Sequence, residues 1–346
     1  MNKYLSELMR FKEKIDFSDF ENSSIMVTGA TGLIGSAIVK MLLEYNKTND
    51  ANIRVIALVR NEQKAKTVFN NYSSNDLIIT VSDICELEAT NQEIDYIIHA
   101  ASVTSSKAFV DSPVETINTS IKGTVAILEF AKANRIKSLV FLSTMEVYGT
   151  PLTNDKIYET QGTNLDTMAV RSCYPESKRM CENICTSYFK EYNIPIKVVR
   201  LTQTFGPGVE YNDGRVFAEF ARCAIENRDI ILKTKGETER NYLYLFDAVS
   251  AILTVLAKGE NGNAYNAANE ETYCSIYEMA KLVADKVANG NIGVIIEESS
   301  DITKLGYAST LKMNLSTEKI QKLGWKPLVS LEDMFKIMIA DLEDAK

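Results

Sequence analysis

The sequence predicts an α/β fold, namely a Rossmann-type doubly wound parallel sheet with a smaller mixed α/β domain. Six short apolar runs, which begin near residues 24, 53, 77, 95, 138 and 195, alternate with patterns typical of helices. This alternation favours one parallel sheet with helices on both faces. A glycine-rich turn at residues 29–35 follows the first run and precedes a helical pattern, which marks the first strand-turn-helix unit of that sheet.

Composition limits the classes of protein and partner. The 346 residues are 45% hydrophobic and 24% charged, which suits a substantial core in one large or two smaller domains. A formal net charge of -8 argues against nucleic acid or an anionic membrane as a main partner. The six cysteines lack paired C-x-x-C spacing and His99 is the single histidine, so we expect no metal site. We therefore expect reduced, mostly buried thiols in a cytoplasmic protein.

The first 23 residues form a predicted N-terminal helical extension. They contain neither a signal-peptide core nor a run long enough to span a bilayer. Their apolar residues fit one face of an amphipathic helix. These residues are Tyr4, Leu5, Leu8, Met9 and Ile15. We expect this face to pack on the body of the protein or on a partner subunit.

The rest of the chain divides into two predicted domains. Residues 24–201 and about 237–267 build the dinucleotide-binding fold, and residues 202–236 and 268–346 build the smaller substrate domain. A helical pattern at residues 247–258 is expected to return to the first domain. The boundary is therefore interrupted, and no repeat or low-complexity linker marks it.

The glycine-rich turn has the spacing of a dinucleotide-binding site. Gly29, Gly32 and Gly35 permit a tight turn, close approach of the backbone to a pyrophosphate, and close packing of the helix on the strand. The helix after it, at residues 36–45, would present unpaired amides to the phosphates. The alternative is a merely tight strand-to-helix turn. A second strand at the expected distance favours the binding site.

Arg60 ends the second strand, where NAD-preferring folds commonly carry an acidic residue. An arginine here can neutralise a 2′-phosphate, which favours NADP over NAD, or it is simply solvated at a strand end. Asp83 follows the third strand and could accept from an adenine amine or cap a helix. His99 reads as a satisfied residue that lines the cofactor pocket. Gly123, within a long helix at residues 113–134, indicates close packing against the sheet.

Thr144, Tyr174 and Lys178 are the candidate acid/base group. Thr144 ends a buried strand, where open α/β sheets hold their ligands. If residues 171–192 form a helix, Tyr174 and Lys178 lie on one face, and the ammonium would lower the pKa of the phenol. Such a tyrosine can exchange a proton with a substrate hydroxyl or ketone near neutral pH. Taken alone, the same spacing also occurs on ordinary exposed helices.

An ordered set of motifs makes the chain resemble a family, the extended short-chain dehydrogenase/reductases of the NAD-dependent epimerase/dehydratase group, which remodel nucleotide-diphosphate sugars. The likeness runs from residue 24 to about residue 331. The motifs are Gly29-x-x-Gly32-x-x-Gly35, Asp83-Ile84, His99-Ala100-Ala101, Asn118 with Gly123-Thr124, Ser143-Thr144-x-Glu146-Val147-Tyr148-Gly149, Tyr174-x-x-x-Lys178, Phe205-Gly206-Pro207, Arg240 through Asp247, Tyr265-Asn266-x-x-Asn269 and Leu323-Gly324-Trp325-Lys326-Pro327.

The resemblance implies a role for each matching residue. Tyr174 is the implied acid/base, Lys178 the residue on the nicotinamide ribose, and Thr144 the hydroxyl partner of the tyrosine. The implied cofactor site comprises Gly29, Thr31, Gly32, Leu33, Ile34, Gly35, Arg60, Asp83, Ile84, Ala100, Ala101, Asn118, Tyr174 and Lys178. The implied substrate site comprises Thr144, Met145, Arg215 and Arg240. A homodimer, paired through the helices at residues 113–134 and 171–192, is implied by resemblance only.

Residues 212–216 and 171–185 resemble UDP-glucuronate decarboxylases, whereas other positions depart from dehydratases and decarboxylases. Arg240 is the implied grip on the substrate diphosphate, and Arg215 could approach the nucleotide end of the substrate. Glu146 is the implied base near C5 of an oxidised sugar, or a carboxylate that orients Thr144 or a water. Met145 replaces the usual Asp or Ser, which argues against ordinary 4,6-dehydration. Residues 307–315 lack the arginine expected for a glucuronate carboxylate.

Three functions remain open. The first is transient oxidation of a nucleotide-linked sugar, with net epimerisation, dehydration or decarboxylation. The second is net reduction of a nucleotide-linked keto-sugar or pentulose by NADPH, for example to a CDP-alditol, which Arg60 and Met145 favour. The third is a regulator that binds a dinucleotide and does no chemistry, against which the presence of Thr144, Tyr174 and Lys178 argues.

Overall fold

A seven-stranded parallel sheet forms the centre of the computed structural model, which describes residues 2–72, 76–87, 93–151, 153–162, 164–298 and 311–344. Its strands run in the order β10-β6-β5-β4-β1-β2-β3 and every neighbouring pair is parallel. They are β1 (Ser24–Thr28), β2 (Arg54–Val59), β3 (Leu77–Val81), β4 (Tyr96–His99), β5 (Ser138–Thr144), β6 (Ile196–Leu201) and β10 (Asn263–Ala267). The predicted doubly wound fold and its six predicted strands are confirmed.

Eleven α-helices occur in the described part of the chain. They are α1 (Lys3–Lys12), α2 (Leu33–Asn49), α3 (Glu62–Val68), α4 (Ala108–Asp111), α5 (Pro113–Asn134), α6 (Cys173–Tyr192), α7 (Val216–Glu226), α8 (Leu245–Lys258), α9 (Ile276–Leu282), α10 (Glu318–Gln321) and α11 (Leu331–Asp344). The predicted helix at residues 113–134 is confirmed, and the helix after the glycine-rich turn is longer at both ends than the predicted 36–45. Short 3-10 turns precede α6 at Val170–Ser172 and follow β5 at Met145–Tyr148.

Both faces of the central sheet are buried. Ile25 and Val27 of β1 join one apolar cluster, and Met26 between them joins the cluster on the opposite face. This alternation is what helices on both faces of a parallel sheet require. Of the six cysteines, four are buried and all six are free thiols, which confirms the prediction of mostly buried thiols.

The smaller part of the molecule contains two further sheets. In one, β9 (Glu239–Tyr244) pairs with β7 (Gln203–Phe205), β11 (Asn269–Ser275) and β13 (Lys312–Met313). In the other, β8 (Ile230–Leu232) pairs with β12 (Val294–Ile296). The two-domain division stays a prediction. β9 lies in the range 237–267 that we assigned to the first domain, yet its strand partners belong to the smaller sheet.

The N-terminal helix α1 packs on the body of the protein, against α2, α8 and α11. Leu8 and Phe11 are buried, and the ring of Tyr4 meets that of Phe246 edge to face at 5.5 Å. The first of the two predicted packing alternatives is therefore confirmed. No helix of the described residues combines the length and the apolar character that crossing a bilayer requires.

Candidate active site

A cleft of about 570 Å³ opens at the carboxyl ends of the central strands. Strands β1, β2, β5 and β6 and the segment that follows β4 all contribute residues to it at this edge, where open α/β sheets hold their ligands. The predicted residues that line it are Gly29, Thr31, Gly32, Leu33, Ile34, Gly35, Arg60, Ile84, Ala100, Ala101, Thr144, Met145, Glu146, Tyr174, Lys178, Arg215 and Arg240. The fold therefore brings nearly all of the predicted site into one cavity.

The glycine-rich turn is shaped by close backbone contacts. Gly29 has a φ of +63°, and a Cβ there would lie 2.8 Å from the backbone of Ala101. A Cβ on Gly35 would lie 2.3 Å from the carbonyl oxygen of Gly29. Gly32 occupies the N-cap position of α2 and offers no side-chain cap, so the first amides of that helix face the cleft end without a side-chain partner. This arrangement has the form of an anion site.

His99 is buried beneath the cleft and does not line it, which corrects part of its prediction. Its Nδ1 lies 2.8 Å from Oγ1 of Thr28, and its Nε2 lies 3.4 Å from Oγ1 of Thr124. Burial, with a smaller contribution from the charge of Lys178, lowers the pKa of His99 to about 3. The ring is therefore neutral and satisfied. Thr28 also accepts a hydrogen bond from the amide of Ala101 at 3.0 Å, which ties β1 to the end of β4.

Like His99, the predicted residues Asp83 and Asn118 do not line the cleft. The Asp83 carboxylate accepts from the amide of Cys85 at 2.8 Å and caps a short 3-10 turn, which was the alternative prediction for this residue. Asn118 is exposed on α5, whereas the next residue, Thr119, lines the cleft. Gly123 packs against the side chain of Ile84, which a Cβ would approach to 2.9 Å, and this contact replaces the expected contact with the sheet.

Tyr174 is fully enclosed at the centre of the cleft wall. Its ring stacks on that of Phe109, with centroids 4.3 Å apart and planes 9° from parallel. Burial raises the pKa of the phenol above its ordinary value and the carboxylate of Glu146 raises it further, while a hydrogen bond with Thr144 and the charge of Arg171 act in the opposite direction. The phenol is therefore protonated across the neutral range.

Lys178 does not act on Tyr174 as we predicted. The buried ammonium donates to the carbonyl oxygen of Leu142 at 2.8 Å, and burial lowers its pKa to about 8. The pKa of Tyr174 is set by burial, Glu146, Thr144 and Arg171. The predicted lowering of the tyrosine pKa by Lys178 is therefore wrong, because the lysine is directed to the backbone of β5.

Glu146 and Thr144 lie at the end of β5. The amide of Glu146 donates to Oγ1 of Thr144 at 3.2 Å, so the strand and the 3-10 turn after it hold both residues in register. The Glu146 carboxylate pairs with both terminal nitrogens of Arg171, at 2.8 and 3.4 Å. Arg171 and Phe109 also line the cleft, although neither was predicted to do so. The spacing of three between Arg171 and Tyr174 was the available signal for the first.

The predicted substrate residues differ in how free they are. Arg240 donates to Oε1 of Gln203 at 3.1 Å, and its buried Nε has no hydrogen-bond partner within the described part of the chain. Arg215 is held by both carboxylate oxygens of Asp213. The sulfur of Met145 accepts from the hydroxyl of Thr202 at 3.2 Å.

An arginine for a substrate carboxylate was expected within residues 307–315. Of these residues, 307–310 lie outside the described ranges. Lys312, the only cation found in that segment, belongs to β13 and pairs with Glu239 at 3.0 Å. It is therefore engaged in the small sheet and is not among the residues that line the cleft.

Comparison with known proteins decides the family. The model of the NAD dependent epimerase/dehydratase family matches residues 25–268, well over half of the chain. The chain belongs to the NAD dependent epimerase/dehydratase family. The family that the ordered motifs predicted is thereby confirmed, and the protein is an enzyme of the NAD-dependent epimerase/dehydratase type.

Individual members of the family that resemble the chain differ in activity. UDP-glucuronic acid decarboxylase 2 of Arabidopsis thaliana is 29% identical over 92% of this chain and 67% of its own length. In structure, UDP-N-acetylglucosamine 4-epimerase from Methanobrevibacter ruminantium M1 matches with a TM-score of 0.80 and 21% identity over 94% of this chain and all of its own. The structure of dTDP-glucose 4,6-dehydratase from Streptomyces venezuelae, with NAD bound, matches with a TM-score of 0.76. The two sequences are 21% identical, and the match covers 93% of this chain and 97% of the dehydratase. The structural matches establish a shared fold.

Proposed function

We propose that this member of the family transiently oxidises the sugar of a nucleotide-diphosphate sugar, with Tyr174 as the acid/base and Glu146 as the base at the adjacent carbon. The observation that carries the proposal is the cleft itself, because it brings Thr144, Glu146, Tyr174 and Lys178 to the same cavity as the glycine-rich turn. The decarboxylases, dehydratases and epimerases that resemble the chain support a nucleotide sugar as substrate.

The residues of the cleft fit a dinucleotide. Gly29 and Gly35 leave no room for a Cβ, and the uncapped start of α2 presents amides to the diphosphate. Lys178 would hold the ribose next to the nicotinamide, as the resemblance implies, and it lines the cleft together with Ala100 and Ala101. When bound, the cofactor supplies a hydride acceptor and donor at the sugar carbon.

Arg240 and Arg215 are the candidate partners of the substrate diphosphate in the cleft. Arg240 is partly buried, and its Nε has no hydrogen-bond partner among the described residues. A buried donor without a partner is costly unless a ligand satisfies it, and a guanidinium suits a phosphate oxygen. Arg215 also lines the cleft, but its guanidinium is bound to the Asp213 carboxylate. The position of Asp213 therefore determines how Arg215 can approach the nucleotide.

The proton steps follow from the positions of three side chains. Thr144 and Tyr174 share one hydrogen bond and can hold the same sugar oxygen. Once the Tyr174 phenol has released its own proton to solvent on ligand binding, the phenolate takes the proton of that oxygen as the carbon is oxidised. The resulting ketone acidifies the proton on the adjacent carbon, which Glu146 would accept. Return of hydride and proton then completes a cycle without net use of cofactor.

A second candidate is net reduction of a nucleotide-linked keto-sugar by NADPH. Arg60 lines the cleft at the end of β2 and is exposed, which supports binding of a 2′-phosphate. Met145 stands where an acidic or hydroxyl side chain is usual. Its thioether has no proton to give to a leaving hydroxyl, and its sulfur contacts the hydroxyl of Thr202. Both observations favour chemistry that needs only Thr144 and Tyr174.

A panel of UDP-, dTDP-, GDP- and CDP-sugars, each with NAD and NADP, tests the two candidates. We expect turnover of at least one sugar without net change in nicotinamide absorbance. The product mass then reports the reaction, as loss of carbon dioxide, loss of water or no change. Stoichiometric oxidation of NADPH with gain of two hydrogens would favour the reductase. No turnover with any member of the panel would contradict both.

A further inference from the structure

Arg171 joins two parts of the cleft that are distant in sequence. It lies in the 3-10 turn that precedes α6, one turn before Tyr174, and it pairs with Glu146 in the turn after β5. Both side chains of the pair are partly exposed, at 34% and 29%, and both line the cleft. The pair is therefore placed where a sugar would lie, and not on the outer surface of the helix.

An aromatic contact fixes the guanidinium from its other side. The Arg171 guanidinium lies over the ring of Phe109, 5.7 Å from the ring centroid, and Phe109 in turn stacks on Tyr174. A guanidinium that makes two hydrogen bonds and rests on an aromatic face has little rotational freedom. Glu146 is thereby held by a partner that Phe109 and the start of α6 keep in place.

The charges within this group also act on each other. Tyr174 lies close enough to Glu146 and Arg171 for their charges to act on its pKa, with Thr144 as its hydrogen-bonding neighbour and Cys173 next to it in α6. Burial is the main reason why the pKa of Tyr174 is raised, Glu146 raises it further, and Arg171 offsets part of that rise. Without Arg171, an unpaired carboxylate would lie beside a phenol that has to ionise during the reaction.

We propose that Arg171 is a positioning residue, which holds the Glu146 carboxylate at the sugar carbon next to the oxidised one and shields Tyr174 from its negative charge. The proposal rests on the proposed function, since it assigns Arg171 to the same two proton steps. It also accounts for a carboxylate and a buried phenol in one small cavity, which would otherwise repel each other once the phenol loses its proton.

The test compares Arg171→Met with Arg171→Lys in the full chain, on the first of UDP-glucuronate and dTDP-glucose that the wild type turns over. For Arg171→Met we expect kcat to fall by about a hundredfold with KM within about threefold, because a displaced base loses alignment and not affinity. Arg171→Lys should recover part of the loss. Deuterium uptake from solvent at C5 of the sugar should fall in parallel. An unchanged kcat, or a rise in KM alone, would overturn the proposal, the latter because it makes Arg171 a substrate-binding residue.

A matched control lies on α6, the helix that follows Arg171. Arg179 pairs with Glu176 at 3.2 Å with nearly the same exposure, 39% and 32%, but that pair lines a different cavity. Arg179→Met should leave kcat and deuterium uptake unchanged. Equal losses of kcat in Arg179→Met and Arg171→Met would mean that removing any ion pair in or next to α6 impairs the enzyme. That result would overturn the proposal.

A second readout does not depend on turnover. In crystals of Arg171→Met, we expect the Glu146 carboxylate to have left the position that it occupies in the wild type. A carboxylate that stays in place would overturn the positioning role even if the enzyme were active. A wild type that is silent on the whole panel would instead contradict the proposed function and leave this structural result to decide the role of Arg171.

Discussion

Burial determines the protonation of both ionisable groups that the chemistry would use. Tyr174 is enclosed by Phe109 and faces Glu146, so its phenol keeps its proton across the neutral range. Lys178 is also buried, and its pKa falls to about 8 while its ammonium bonds to the chain. The cleft thus holds a proton donor, and the proposed chemistry requires that Tyr174 ionise once substrate and dinucleotide surround it.

The residues of the cleft show what spacing can and cannot reveal. That Thr144, Tyr174 and Lys178 line one cleft was predictable, because strand ends and helical spacing determine which face each residue occupies. The stacking of Phe109 on Tyr174 joins segments 65 residues apart, and the pairing of Arg171 with Glu146 joins segments 25 apart. Such contacts depend on how loops pack, which no local pattern records. The direction of Lys178 likewise depends on a backbone carbonyl of β5.

Arg60 carries the prediction about cofactor choice. If its guanidinium meets a 2′-phosphate, Arg60→Glu should weaken NADPH at least tenfold and leave NADH within about threefold, because a charge-assisted contact contributes roughly 1.5–3 kcal/mol. Fluorescence titration of the two nucleotides against wild type and variant measures this. Equal affinities of the wild type for both, unaltered by the substitution, would show that Arg60 is only a solvated strand-end residue.

At the scale of elements, long helices and buried strands were predictable because their apolar periodicity is sustained over many residues. The smaller sheets were not, since β7, β8 and β12 have three residues each and β13 has two. β9 was assigned to the first domain because its motif continues into α8. The structure shows that it instead pairs with strands from three separate segments, β7, β11 and β13.

Asp247, in the first turn of α8, ties that helix to the C-terminal segment. Its fully buried carboxyl accepts from the amides of Leu328 and Val329, at 2.9 and 3.2 Å. Burial raises its pKa to about 7, against the opposing effect of these hydrogen bonds. The folded state therefore binds a proton that the unfolded chain releases near pH 4, so this residue makes stability fall as pH rises from about 4 to about 7.

Asp247→Asn should remove this pH dependence. The amide carries no charge to bury, but its oxygen can accept from only one of the two backbone donors, because Leu328 and Val329 donate to different carboxylate oxygens. We therefore expect the variant to be less stable than the wild type at pH 5 by about 1–3 kcal/mol, with no pH dependence from this position between pH 4 and pH 7. The slope removed is at most about 1.4 kcal/mol per pH unit. Urea unfolding of both proteins at pH 5 and pH 8 measures it. Parallel losses in the two proteins between these values would contradict the role of Asp247.

At the scale of the whole molecule, the outer faces of α5 and α6 support the homodimer that the resemblance implies. These two helices pack on each other, yet large apolar side chains remain exposed on them. They are Val114, Ile117, Met180 and Tyr192. We propose that a second copy of the chain covers this surface across a two-fold axis.

Charged substitutions test the dimer. Ile117→Glu combined with Met180→Glu should convert the protein to a monomer, because two buried carboxylates would face their symmetry copies. Light scattering after gel filtration measures the mass. Ile231→Glu, at an exposed apolar residue of β8, is the control that should stay dimeric. A wild type that is already monomeric at micromolar concentration would contradict the proposal.

The most direct test of the account is Tyr174→Phe, measured as product formation from a sugar nucleotide together with calorimetric binding of the dinucleotide. Removing the proton donor should lower kcat by at least about a hundredfold, while the dissociation constant of the dinucleotide stays within about threefold. Tyr277→Phe, at an exposed tyrosine of α9, should keep full activity. Turnover by Tyr174→Phe equal to that of the wild type would contradict the claim that this phenol moves the proton.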